Sequence, residues 1–160
     1  MSWDYKIREI ISMPNWNSKE LINIKKFIIL FTKVMNEKKT SLIKSVFDKN
    51  ANMHRGMANV EGVADITKWY NHMWNSQGYG NAKFILKDAS AGILPDGTAK
   101  CILWFEINIH KHRNEYRIMP KQKQVHIETL DIELIDKKWK IKQCFGIGYD
   151  PKDHKKYFKK

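Results

Sequence analysis

Ala51-Asn52-Met53-His54-Arg55, followed shortly by Val60-Glu61-Gly62-Val63-Ala64-Asp65-Ile66, is the stretch on which the fold turns. The first five residues read as a short strand. Val60-Glu61-Gly62 then leads into an amphipathic helix that opens at Val63. Along it Ile66, Tyr70, Met73, Trp74 and Gln77 form one stripe, widened by Trp69, and Gly78 and Gly80 stop it.

Upstream of the short strand, helical spacing dominates. Ser18 is an N-cap residue with Glu20 in the first turn, and Leu21, Ile24, Ile28, Phe31 and Met35 recur three and four residues apart. Lys19, Lys25, Lys26 and Lys33 take the other face. A second, shorter helix is expected from Ser41 to Phe47, with Asp48-Lys49-Asn50 ending it.

Downstream, the chain turns β-like. One strand runs over residues 83–94, and Pro95-Asp96-Gly97-Thr98 is a turn signal between two apolar runs. Cys101, Leu103, Phe105, Ile107 and Ile109 alternate on the next strand, with Trp104, Glu106, Asn108, His110 and His112 opposite. Residues 125–135 form a third strand and Asp136-Lys137-Lys138 a turn. Trp139, Ile141, Gln143, Phe145, Ile147 and Tyr149 alternate on the last. Hairpin turns without crossover helices predict an antiparallel sheet, and helices before strands predict an α+β domain. This order wraps an apolar cone around a ligand-sized cavity.

A chain of 160 residues is expected to form one domain, with residues 1–17 as an arm, 18–150 as the domain and 151–160 as a basic tail. Six Trp, six Tyr and seven Phe supply large surfaces for a core. Nothing in Ser2–Glu9 resembles a secretory signal, and the longest apolar run, residues 27–31, is far too short to span a bilayer. Cys101 and Cys144 sit in strand-like runs and read as buried thiols, which suggests a reducing, cytoplasmic setting. The net charge of +12 invites a nucleic-acid reading. Yet the charge is mostly lysine spread along the chain, whereas arginine is preferred for bidentate phosphate and base contacts. Specific nucleic-acid binding is therefore not expected; the dense cluster is the tail, Lys152–Lys160.

The arrangement resembles the NTF2-like superfamily, whose members include ketosteroid isomerases and SnoaL-like polyketide cyclases. The resemblance covers roughly residues 20–150. Val46-Phe47-(x3)-Ala51-Asn52-Met53-His54 looks like its helix end and first strand, which in SnoaL-like members often carries a His here. Glu61-Gly62-Val63-Ala64-Asp65-Ile66 looks like its Gly-led helix start. Pro120-Lys121-Gln122-Lys123-Gln124-Val125 looks like a degraded Pro-Thr-Gly-Lys-x-Val turn, and Leu130-Asp131-Ile132 with Asp136-Lys137-Lys138-Trp139-Lys140-Ile141 like the final hairpin. The resemblance implies a cone in which three N-terminal helices pack on a curved antiparallel sheet. The ketosteroid isomerase mechanism fits poorly. Ungapped alignment places its carboxylate base on Arg55 and its tyrosine on Phe31, and neither side chain can do that work.

Candidate residues follow. His54 brings an imidazole, the side-chain type suited to proton transfer, to a position the resemblance ties to the cavity, but strand alternation lets only one of His54 and Arg55 point inward. Arg55 inside the cone is either a clamp for a ligand anion or half of a salt bridge to a sheet acid such as Asp88 or Glu106. His126, Glu128 and Asp131 are acid–base material on one strand. Its apolar face switches between Ile127 and Leu130, which a β-bulge near Glu128 or Thr129 would explain, turning all three outward. His110-x-His112 with His126 could hold a metal, though the outward face argues against it. Tyr70, Trp74, Phe105 and Trp139 would line or floor the cavity, and Gln143 marks a polar spot on an apolar face.

The expected function is binding of a small apolar organic molecule. With catalysis, the resemblance implies cofactor-free, metal-free isomerisation, cyclisation or dehydration with His54 as acid or base; His126 and Asp131 are the further catalytic candidates from their own strand. Arg55, Tyr70, Trp74, Phe105, Trp139 and Gln143 would hold the ligand. The alternative is a non-catalytic binding or dimerisation module that pairs two copies through the outer sheet face, which bears Trp104. A third reading is a basic protein that engages acidic partners through its tail.

Overall fold

The structure, a computed structural model, describes residues 18–55, 58–76, 82–109 and 123–148. The expected arm, the basic tail, His110, His112 and the Pro120–Lys121–Gln122 segment lie outside them. Helix α1 spans Ser18–Glu37. Its buried side carries Leu21, Ile24, Ile28, Phe31 and Met35, joined by Phe27 and Val34. It ends where Lys38 adopts a left-handed φ of 56° and donates its N–H to the Val34 carbonyl.

The expected second helix is only a fragment: a 3-10 turn at Thr40–Leu42 and α2 at Ile43–Val46. Strand β1, Phe47–Arg55, begins four residues earlier than expected. Asp48-Lys49-Asn50 reads as a helix stop, but these residues form the irregular start of the strand, where β1 shifts register against its neighbour between Phe47 and Asn52. Strand β2, Ala58–Glu61, pairs back on β1 and was not expected as a strand. Gly62, at φ +84°, then opens α3, Val63–Ser76; its N–H bonds to the Ala51 carbonyl and its own carbonyl accepts from Ile66.

Strands β3 (Ala82–Ile93), β4 (Ala99–Ile109), β5 (Lys123–Ile135) and β6 (Lys138–Gly148) complete one sheet in the order β2-β1-β6-β5-β4-β3. Both expected hairpin turns form. Asp96 accepts from the Thr98 N–H and hydroxyl and Gly97 sits at φ +88°; Asp136 and Lys137 both have positive φ, as a two-residue type I′ turn requires. The sheet is mixed, a correction to the antiparallel expectation: β6 runs parallel to β1. The chain crosses through α3 to the far edge at β3 and winds back through three neighbours, so β6 meets β1 pointing the same way.

Two bulges set which residues face the helices. One, at Lys87 in β3, lets Leu86 and Ala89 both point inward. The other, at Lys142 in β6, shifts the register between Asp131 and Ile132. It swaps the phase of β6, so that Trp139 and Ile141 are buried before it and Cys144 after it. The expected alternation through Gln143 and Phe145 therefore breaks at Lys142. No bulge occurs at Glu128 or Thr129, because β5 pairs with β4 in unbroken register from Lys123 to Ile132. The Lys142 side chain reaches Asp48 at 3.0 Å and Lys140 donates to the Lys44 and Ser45 carbonyls, which ties α2 and β1 to β6.

The core lies between the inner sheet face and the helices. Phe31 packs against Phe47 and Phe105, and Phe47 against Tyr70. The Asn36 side chain bonds both the carbonyl and the N–H of Phe84, at 2.9 and 2.7 Å, so an amide at the end of α1 pairs with edge strand β3 as another strand would.

Candidate functional site

Three neighbouring strands place a polar cluster at one end of the core. Arg55 is the last residue of β1, Gly146 lies opposite it on β6, and Glu128 lies opposite Gly146 on β5. Arg55 and Glu128 are thus two strands apart, yet their side chains form a bidentate pair, Nη1 to Oε2 and Nη2 to Oε1, both 2.5 Å. They can meet because Gly146 has no side chain. A Cβ there would stand 2.1 Å from Arg55 Nη1 and 2.8 Å from His126 Cε1.

The pair is buried, with 14% of the Arg55 side chain and 4% of Glu128 exposed. Burial alone would raise the Glu128 carboxyl. The Arg55 charge and the contacts with His126 together outweigh it, so Glu128 titrates below its ordinary value and remains a carboxylate. His126 Nε2 lies 3.5 Å from Glu128 Oε1, and the His126 side chain is 22% exposed. Arg55 Nη2 also donates to the Tyr70 hydroxyl at 3.1 Å, and its guanidinium lies 5.6 Å from the Trp69 ring. Burial is the largest influence on the Tyr70 phenol and pushes it well up, so it keeps its proton.

These groups border a cavity of about 240 Å3. Arg55, His126 and Glu128 form its polar end, Trp69, Tyr70, Met73 and Trp74 of α3 one wall, and Met35, Phe84 and Ile107 the rest. The apolar-face switch on β5 is thereby explained. The inward residues are His126, Glu128, Leu130 and Ile132 in simple alternation, and the strand points two polar residues into the core instead of bulging. The salt-bridge reading of Arg55 is the observed geometry, with Glu128 in place of Asp88 or Glu106.

The remaining expected residues are dispersed. His54 faces the other side of β1, stacked on Phe145 with centroids 4.5 Å apart and 3.1 Å from the Gln143 amide. Gln143 therefore marks no polar spot within the cone; the Lys142 bulge turns it outward. Asp131 also points away from the cavity and pairs with Lys100 at 3.5 Å. Phe105 is buried in the core against Phe31 and Phe84, and Trp139 packs beside Phe27 and Leu30 in a separate groove under α1. Of the nine site candidates, only Arg55, Tyr70, Trp74 and His126 border the cavity. Gly146 and Phe84 escaped the sequence reading, and Glu128, read there as acid–base material beside His126, was not assigned to the cavity; a glycine inside an apolar strand was the available signal for Gly146. Among the described residues no group of His, Cys, Asp or Glu could hold a metal ion. No helix among them is long and apolar enough to cross a membrane.

No protein-family model matches the chain, and no curated protein matches it in sequence. Solved structures do. An uncharacterised protein with a cystatin-like fold from Caulobacter vibrioides superposes with a TM-score of 0.71 at 13% identity, covering 84% of this chain and 93% of its own. An NTF2-like protein with a cystatin-like fold from Novosphingobium aromaticivorans gives 0.63 at 12% identity, covering 81% of each chain. Nuclear transport factor 2 from Cryptosporidium parvum gives 0.62 at 10% identity, covering 78% of this chain and 90% of its own. Superposition over about four fifths of the chain at such low identity establishes the architecture alone: this chain has the NTF2-like, cystatin-like fold.

Proposed function

We propose that the protein binds a small, mostly apolar organic molecule in the cavity between α3 and the sheet, as a SnoaL-like protein would, and that His126 acts there as an acid–base group. The observation that carries this reading is a partly exposed imidazole at the polar end of an otherwise apolar cavity, beside a buried carboxylate that Arg55 keeps ionised. By comparison with the 150 Å3 cavity that accommodates benzene, 240 Å3 suits a molecule of about ten non-hydrogen atoms.

The division of labour follows from the hydrogen bonds. The Tyr70 oxygen accepts from Arg55, so its own proton is left to donate toward a ligand carbonyl or hydroxyl. Glu128, 3.5 Å from His126 Nε2, orients the imidazole. His126 would take a proton from carbon next to a carbonyl, or give one to a leaving hydroxyl, while Tyr70 holds the oxygen on which charge develops. Isomerisation, cyclisation and dehydration all need such a pair. His54 and Asp131 have no part in this scheme because they point away from the cavity.

The test is proton exchange on a bicyclic ketone of suitable size, 2-tetralone, followed by NMR in deuterated buffer. Wild-type protein should accelerate exchange next to the carbonyl, and His126→Gln should lose at least 100-fold of that acceleration, the scale of one general acid–base group. Equal rates in the two proteins would end the catalytic reading. Failure of the ketone to perturb cavity resonances would end the binding reading as well.

A second reading, a non-catalytic module that pairs two copies, has support of its own. The outer sheet face carries Ile102 and Trp104 on β4 and Phe145 on β6, and Phe145 is exposed. Sedimentation of wild type against Phe145→Lys decides it: a dimer that the lysine dissociates supports this reading, and a monomeric wild type dismisses it.

A further inference from the structure

We infer that the cavity selects uncharged ligands and turns away carboxylates and other anions, although its polar end contains an arginine. This rests on the proposed ligand site and adds the charge class of what enters it. A lone arginine at the end of an apolar cavity ordinarily signals an anion site, because its fork matches a carboxylate in two hydrogen bonds. Here the fork is already taken. Nη1 and Nη2 each engage one Glu128 oxygen, and Nη2 also reaches the Tyr70 hydroxyl.

An incoming anion would have two routes, both unfavourable. It could displace Glu128, which would leave that carboxylate buried without its cation. Or it could settle beside the intact pair, where Glu128 repels it and the walls of Trp69, Met73, Trp74, Phe84 and Ile107 offer it no hydration. Gly146 makes the pairing structural, since the Arg55 guanidinium reaches Glu128 through the space that the missing Cβ leaves, with the His126 ring beside it. An uncharged ligand meets neither obstacle. It buries apolar surface on the aromatic wall and takes its hydrogen bonds from Tyr70 and His126.

A matched pair of probes of nearly equal shape tests this: cinnamamide, which is neutral, and cinnamate, which is ionised at neutral pH. Each is titrated into the full chain by calorimetry and by shifts of cavity resonances. The amide should bind at least tenfold more tightly than the carboxylate. In Glu128→Gln, which frees Arg55, the order should reverse. The wild-type comparison stands without the variant should the variant fail to fold. Equal or tighter binding of cinnamate to wild type would overturn this inference and leave the ligand cavity in place. Failure of both probes to bind would overturn the cavity reading, and the inference with it.

Discussion

At Gly146 a missing methyl group decides whether two strands can exchange charge. The Arg55–Glu128 pair spans the intervening strand only because the residue there is glycine, so Gly146→Ala should disrupt it. Breaking a buried ion pair costs about 3–5 kcal/mol, and that much stability should be lost on Gly146→Ala by urea denaturation. A sharper measurement uses the pair itself. Arg55→Met and Glu128→Leu should each destabilise by about 3–5 kcal/mol, whereas the double substitution should recover most of that loss, because no unpaired charge remains buried. Additive losses would mean that the two groups do not depend on each other. Burial also raises both thiols, Cys101 to about 12, so neither should react with a thiol reagent at neutral pH until the chain unfolds.

The elements were legible in the sequence to the extent that polarity follows direction. The stripe of α1, the stripe of α3 and the run Cys101, Leu103, Phe105, Ile107 in β4 obey one period, and both hairpin turns announce themselves by Asp96-Gly97 and Asp136-Lys137. Legibility fails at two kinds of place. One is where a bulge changes phase, as at Lys142, since an inserted residue leaves no compositional mark and reverses Gln143 and Phe145. The other is where polar groups are buried against one another, as at His126 and Glu128, because hydropathy assigns such residues outward whereas their partner Arg55 sits on another strand. Partnership across the sheet also hid the parallel contact of β1 with β6. The start of α3 carries its own prediction. Gly62 holds φ +84°, so Gly62→Ala should cost about 1–2 kcal/mol, read as a lower Tm, through backbone strain alone, since the nearest atom is 3.7 Å from the added Cβ.

At the scale of the molecule, the charges set an acid limit. Glu128, and Asp48 through its contact with Lys142, both titrate below their ordinary values. A depressed carboxylate stabilises the fold fully above its unfolded value, near 4.5 for Glu128, and that contribution disappears as pH falls through the lower folded value. Stability should therefore be level from neutrality down to about pH 5 and then decline, with protons taken up on unfolding. Lys142→Met, which removes the partner of Asp48, should make that decline shallower in urea titrations across the acid range. A curve that rose toward acid would contradict the pairing.

The seam between β1 and β6 has a consequence in time. Phe47 and Ile141 touch across it, yet nearly the whole domain separates them along the chain. A growing polypeptide presents Arg55 and the inner side of β1 long before the strand that pairs with it exists, so this half of the sheet must wait for β6 to be synthesised. Such distant closures slow folding and prolong the life of an unfinished edge. A ribosome-bound chain arrested after β4 should hence be the form most in need of a chaperone.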